Sequence, residues 1–308
     1  MAEYSKLIDA ETWAFIEDTA RYYPPDTFQM SLDDQRAIYD RMCRAFFQGY
    51  PDGVTAKDTP LGGVPARRYT QGSAQGKIVY FHGGGFVVGG LDSHDDVCAE
   101  LCAETGCDVT SVDYRLAPEH KHPAMFDDAM VATRAIIAGS EGPVLLCGDS
   151  AGGNLAAAVA HSMRGRTNRI GGQVLIYPGL GGDIDAGSYI EHANAPMLSR
   201  DEIRYYGDIR SDGPPPAGDA SYAPLHDTDF AGLPPTVVFS AECDPLSDDG
   251  RDYRDAILAA GGKAAWFNEA GLVHGYLRAR TTVSRARDSF ARIIAALNAL
   301  KSGCWPYP

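Results

Sequence analysis

Val144-Leu145-Leu146-Cys147-Gly148-Asp149-Ser150-Ala151-Gly152-Gly153-Asn154 runs directly into the alanine-rich stretch Leu155 to Ala160. An apolar run long enough for one buried strand meets Gly-Asp-Ser-Ala-Gly, and a helical pattern follows without a spacer. On so sharp a strand-to-helix turn the serine takes strained backbone angles, and the glycines beside it let strand and helix approach. The turn lifts the Ser150 hydroxyl clear of the sheet and sets it near the helix N-terminus, whose dipole favours developing negative charge. A Gly-x-Ser-x-Gly turn in this setting predicts a nucleophilic serine.

On either side of that stretch, strands and helices alternate. Val64 to Tyr69 reads as an edge strand, Lys77 to Phe81 as a buried strand, Ser93 to Glu104 as a helix and Val109 to Tyr114 as a strand. Pro123 to Ile137 is helical, with Pro123 suited to a first turn. Beyond the serine come strands at Gln173 to Pro178, Thr236 to Ser240 and Ala264 to Phe267, with helices at Ser247 to Ala260 and Ser284 to Leu300. This order predicts βαβ units and a mostly parallel, doubly wound α/β sheet.

Two regions stand outside the alternation. The first fifty or so residues read as amphipathic helices broken at Tyr22-Tyr23-Pro24-Pro25, with a helix start at Ser31. Gly179 to Leu225 is a detour holding a helical piece around Ser199 to Tyr206 and the run Pro214-Pro215-Pro216. Detours of that length are usually functional, and ligands bind at the carboxyl edge of open α/β sheets. Residues 1–55 and 179–225 are therefore expected to form a cap, over a core of 56–178 and 226–308. A disordered insert and an oligomer contact are the alternatives for the detour.

Composition narrows the partners. The 308 residues suffice for one domain with insertions or at most two, and the 44% apolar and 22% charged fractions are those of an ordinary globular protein. A formal net charge of -14 argues against nucleic acid and anionic membrane surfaces. No apolar run approaches a membrane span, and the first residues carry no signal-peptide pattern. Seven cysteines in so long a chain are expected to be reduced thiols of a cytoplasmic protein.

A serine hydroxyl needs a base, the base needs an orienting group, and a tetrahedral intermediate needs N–H donors for its oxyanion. His82-Gly83-Gly84-Gly85, directly after a buried strand, supplies backbone without side chains that can lie against a carbonyl. His82 precedes the serine and is expected, with Gly83, to support that loop. The acid belongs after a strand that follows the serine, where Asp244 stands. Asp248 and Asp249 fall in the next helix's first turn and suit its dipole instead. Glu242 reads either as a support or as a solvated edge residue. The base belongs after the last strand, and His274, between Gly271 and Gly275, is the one histidine downstream of Asp244.

With these motifs in order, the chain resembles the hormone-sensitive-lipase family of α/β hydrolases, in its bacterial esterase branch, from about Lys77 onward. The matching stretches are His82-Gly83-Gly84-Gly85-Phe86, Asp113-Tyr114-Arg115-Leu116-Ala117-Pro118-Glu119, Gly148-Asp149-Ser150-Ala151-Gly152-Gly153, Asp244-Pro245-Leu246 and His274-Gly275. The resemblance implies a cap, no metal or organic cofactor, hydrolysis of small acyl esters, oxyanion donors at Gly84, Gly85 and Ala151, and a homodimer through the last strand's edge. Ser247 and Asp249 stand where that family often has Arg and Glu, and Tyr276 where it has Phe.

Weaker signals resolve otherwise. His120-x-His122 has no third ligand near it, Cys98 and Cys102 lack a zinc spacing, and Gly72 to Lys77 is a turn, not a phosphate loop. Arg115 and Glu119 read as a structural corner beside Pro118. The expected activity is a serine carboxylesterase on short-to-medium-chain acyl esters, with an amidase or lactonase, or a non-catalytic receptor on the same scaffold, as alternatives.

Overall fold

The apolar runs become strands because each buries alternate residues against helices on opposite faces of one sheet. The computed structural model describes residues 2–24, 26–213 and 217–308. Pro25, in the expected break, and Pro214-Pro215-Pro216 lie outside the described residues. The strands are β1 (Thr55–Asp58), β2 (Ala66–Thr70), β3 (Lys77–Phe81), β4 (Asp108–Val112), β5 (Val144–Asp149), β6 (Ile170–Ile176), β7 (Thr236–Cys243) and β8 (Ala264–Val273). Their order in the sheet is β1-β2-β4-β3-β5-β6-β7-β8. All pairings are parallel except β1 with β2 and β2 with β4.

The helices are α1 (Tyr4–Leu7), α2 (Ala10–Ala20), α3 (Leu32–Phe46), α4 (Asp95–Thr105), α5 (Ala124–Ala138), α6 (Ala151–Met163), α7 (Gly187–Glu191), α8 (Arg200–Arg210), α9 (Ser247–Ala259) and α10 (Ser284–Lys301). Ile78, Tyr80, Leu145, Cys147, Val237 and Phe239 pack with Val97 and Leu101 of α4 and Ile293 and Leu297 of α10. Their neighbours Val79, Phe81, Leu146 and Val238 pack with α5, α6 and α9 on the other face. A doubly wound α/β sheet is the result.

Two strands differ from expectation. β1 carries Thr-Ala-Lys-Asp, almost wholly exposed, and so has no apolar alternation to announce it. β8 continues past Phe267 to Val273, because pairing with β7 carries it through Asn268, Glu269 and Gly271. Ser31 caps α3 by accepting from the Asp34 N–H, and Ser199 with Glu202 forms a reciprocal cap on α8. No helix among the described residues is long and apolar enough to cross a membrane.

Register places the chemistry. Phe81 of β3 pairs with Gly148 of β5, so His82 to Gly85 and Ser150 leave adjacent parallel strands at the same level. β3 is also where the strand order reverses, with β4 on one side and β5 on the other. Crevices form at such a point, outside the strands' carboxyl ends. Farther along, Cys243 of β7 pairs with Val273 of β8, so Asp244 and His274 emerge side by side.

Candidate active site

Ser150 sits at φ 54°, ψ -119° at the start of α6, a conformation that a non-glycine residue rarely adopts. The turn closes because a side chain on Gly152 would place its Cβ 1.9 Å from the Phe81 carbonyl oxygen, and one on Gly148 would meet Gly152 O at 2.4 Å. Only glycine permits that approach of helix to strand. The Ser150 N–H donates to Ile176 O of β6 at 2.8 Å, which holds the turn against the sheet.

His274 Nε2 lies 2.8 Å from Ser150 Oγ, and His274 Nδ1 lies 2.7 Å from Asp244 Oδ2. The Asp244 carboxylate is fully buried and also accepts the Leu246 N–H at 2.9 Å. A carboxylate only accepts, so Nδ1 carries the imidazole proton and Nε2 is left to accept from the serine hydroxyl. The Tyr177 ring packs against the imidazole with centroids 4.8 Å apart. Asp248 is directed elsewhere, to Arg251 at 2.6 Å and to the Ser188 N–H at 2.9 Å. Glu242 accepts the Gly271 N–H at 2.7 Å and so supports the turn before His274.

The glycine loop lies beside this trio. Gly84 and Gly85 have φ of 130° and 60°, and among the described residues neither their N–H groups nor that of Ala151 is taken by a backbone acceptor. A Cβ on Gly85 would run into the Tyr206 ring at 2.6 Å. His82 is buried, stacks on Tyr114 at 4.3 Å and places Nδ1 2.8 Å from Gly83 O. Burial pushes its pKa down to about 4, so the ring is neutral near pH 7.

Asp149, unremarked in the sequence, ties this loop to the serine turn. Its buried carboxylate accepts the Tyr80 hydroxyl at 2.7 Å and the Gly83 N–H at 3.0 Å, and His94 Nε2 stands 3.3 Å away. Burial pushes its pKa up, but His94 and the Tyr80 hydroxyl outweigh that and hold it well below the usual carboxylate range. Asp249 was equally hidden. It is buried, not merely a helix-dipole partner, and its Oδ2 accepts the N–H groups of Leu180, Gly181 and Gly182 and the Tyr189 hydroxyl. The run Ser247-Asp248-Asp249 gives no sign of which side chain turns inward.

A cavity of about 1450 Å³ opens over Ser150 and His274. Ile16 and Phe28 from the N-terminal segment and Met197, Ile203 and Tyr206 from the detour line it. Among the detour and N-terminal aromatics, Tyr23, Phe28, Tyr39, Tyr189, Tyr206 and Tyr222 reach it, whereas Trp13 packs on the sheet's core and Tyr205 bonds Gln35. The corner near Pro118 is built differently from a direct Arg115–Glu119 contact. Arg115 pairs with Asp128 at 2.8 Å, and Glu119 takes both terminal nitrogens of Arg36 at 2.7 Å, which ties α3 to the core. His122 stands 3.4 Å from Asp219, and all seven cysteines are free, six of them buried. No group of three or more His, Cys, Asp or Glu side chains among the described residues is arranged to hold a metal ion.

A family model for the alpha/beta hydrolase fold matches residues 78–278. The carboxylesterase NlhH of Mycobacterium tuberculosis is 39% identical over 238 residues, covering 71% of this chain and 72% of that protein. The ester-hydrolase EH1AB1 from the metagenome of Lake Arreo, solved with a bipyridine phosphonate derivative, superposes with a TM-score of 0.87 at 30% identity, over 95% of this chain and 99% of that one. An esterase from the bacterial hormone-sensitive lipase family superposes with a TM-score of 0.85 at 25% identity, over 98% of this chain and 100% of the other. With the motifs and the sheet already in place, this chain belongs to the α/β-hydrolase family, of the hormone-sensitive-lipase type.

Proposed function

We propose that this protein is a serine carboxylesterase acting on short-to-medium-chain acyl esters through an acyl-enzyme. The observation that carries the proposal is the chain of two short hydrogen bonds, Ser150 to His274 to Asp244. Ser150 Oγ attacks the ester carbonyl while His274 Nε2 takes its proton, and Asp244 keeps the imidazole in the tautomer that can do so. The N–H groups of Gly84, Gly85 and Ala151 receive the oxyanion, at the N-terminal end of α6, whose dipole adds to their field. His274 then protonates the leaving alcohol, and water repeats the cycle on the acyl-enzyme. Each proton taken is returned, so no cofactor is required by the scheme.

Residues 1–55 and 179–225 act as the cap over a core of 56–178 and 226–308. Support comes from the cavity, whose apolar lining is drawn from both segments. Such a lining suits an acyl chain, and a medium chain fits the volume. A cytoplasmic setting accords with seven free cysteines. The β8 edge of the sheet is the surface through which a homodimer would pair.

Turnover of p-nitrophenyl esters, from acetate to palmitate, tests the reading. We expect it to peak at short-to-medium chains and to fall by about 10⁶-fold in Ser150→Ala. Ser150→Ala protein that retained a substantial share of activity would refute the assignment, and turnover confined to the longest chains would refute the substrate range.

A further inference from the structure

Three arginines line the cavity above Ser150, and they are not equivalent. Arg204 is paired, with Asp185 at 3.0 Å and Asp201 at 3.4 Å. Arg210 is held between the Phe86 and Tyr222 rings, and its two terminal nitrogens donate to Tyr222 O and Asn154 Oδ1. Arg278, four positions after His274, has no carboxylate partner among the described residues and lies over a single ring, with its guanidinium carbon 5.1 Å from the Tyr39 centroid. Its Nη2 donates to the Tyr39 hydroxyl at 2.5 Å and lies 3.4 Å from Cys43 Sγ, while among the described residues Nε is buried without a partner and Nη1 makes no hydrogen bond.

No Asp or Glu of the described residues lies within ion-pair distance of Arg278, although 41 acidic residues are available in the chain. Asp149 is a carboxylate whose charge acts on it, and that group is already engaged by Tyr80, Gly83 and His94. The free Nη1 is beside the backbone that follows the imidazole, since a Cβ on Gly275 would lie 3.5 Å from it. The other carboxylates along the cavity do not answer it. Asp183, Asp208 and Asp252 are exposed at the rim, and Glu202 is taken up by the Ser199 N–H.

A guanidinium stays charged at any working pH, and withdrawing it from bulk water without a counter-charge is unfavourable. Packing alone would be served as well by methionine or leucine. An unfilled donor on a side chain that lines a substrate cavity is instead suited to an anion that arrives with the substrate. The planar fork matches a carboxylate in particular.

We propose that Arg278 receives a free carboxylate of the substrate, so that the ester this protein hydrolyses is a half-ester or another carboxylate-bearing ester. This rests on the esterase reading above. The remote carboxylate is a handle and is unchanged by the reaction. Water adds across the scissile acyl C–O bond, and the alcohol leaves with a proton from His274.

The test compares kcat/KM for mono-p-nitrophenyl glutarate and p-nitrophenyl pentanoate, near pH 8, in the wild type, Arg278→Met and Arg278→Lys. We expect the wild type to favour the charged ester. The charged-to-neutral ratio should fall by roughly 10- to 100-fold in Arg278→Met, the loss of a charge-assisted hydrogen bond, and by less in Arg278→Lys. A wild type that favours the pentanoate, or a ratio that Arg278→Met leaves in place, overturns the proposal. Should the variants fail to fold, competitive inhibition of the wild type decides the matter. Glutarate should inhibit more tightly than 1,5-pentanediol and lose that advantage as salt rises, and equal inhibition counts against Arg278. Hydrolysis of neither ester would be a failure of the esterase reading itself, which is distinct from hydrolysis of the pentanoate alone.

Discussion

Replacing Asp249 by asparagine removes a titrating group from beneath the start of the detour while leaving its shape in place. Its Oδ2 accepts Leu180 N–H at 2.6 Å, Gly181 N–H at 3.1 Å and the Tyr189 hydroxyl at 3.2 Å, whereas Oδ1 is buried with no partner. No cation pairs with it among the described residues. Burial pushes the carboxyl from 3.8 up to about 7, and the N–H donors only partly oppose that rise. The folded state therefore keeps a proton that the unfolded chain has released. Unfolding sheds that proton between about pH 4 and about pH 7, so stability declines as pH climbs through that window. The shift corresponds to about 4 kcal/mol, or about 1.4 kcal/mol per pH unit. Asparagine can accept the same N–H groups through its carbonyl and has nothing to ionise. Urea unfolding of both proteins from about pH 5 to about pH 8 should show Asp249→Asn gaining on the wild type up to about pH 7, with little further change above it. A stability difference that does not vary with pH would refute this reasoning, as would a variant that loses ground as pH rises.

Three further outcomes follow from the site. Gly152→Ala drives a Cβ to within 1.9 Å of the Phe81 carbonyl oxygen, which is backbone, so it should cost about 3 kcal/mol or more and lower the thermal midpoint by several degrees. Asp149→Asn leaves His94 and the Gly83 loop without their shared carboxylate, and denaturant unfolding at neutral pH should show a loss of about 3–5 kcal/mol. Because the Asp149 carboxyl is held low, its contribution is fully present above about pH 4 and disappears as pH falls below that, narrowing the gap between variant and wild type. Asp244→Asn should reduce ester turnover on the order of 10⁴-fold, whereas Asp248→Asn, bonded to Arg251 and Ser188, should leave turnover within a few-fold of wild type.

Much of this molecule is legible in its residues because strand order and chemistry share one logic. The serine turn and the glycine loop each follow directly on an apolar run, Asp244 and His274 stand a few residues beyond theirs at the ends of β7 and β8, and parallel register then brings them together. What was not legible depends on which way a side chain turns. Asp149 reads as a variable letter of the serine turn, yet it is the hub between that turn and Gly83. Asp249 reads as a helix-dipole acid, yet it points away from solvent into the amides of Leu180 to Gly182. Glu119 and Arg36 are far apart in the chain and meet only because α3 packs across the sheet's end. Thr55 to Asp58 forms a strand through pairing alone, with no burial pattern to declare it. Arg278 looks like one more surface arginine until its lack of a carboxylate partner is seen against the cavity.

The central claim is that the Ser150 hydroxyl is the group that becomes acylated. Mass spectrometry of the protein after reaction with a p-nitrophenyl alkylphosphonate, an inhibitor that leaves its phosphonyl group on an activated serine, tests this most directly. One adduct per chain is predicted, on the peptide containing Ser150, with loss of activity in proportion to labelling and greatly slowed labelling in His274→Ala. Complete inactivation with the label on another residue, or an unlabelled Ser150 in protein that still hydrolyses esters, would contradict the account.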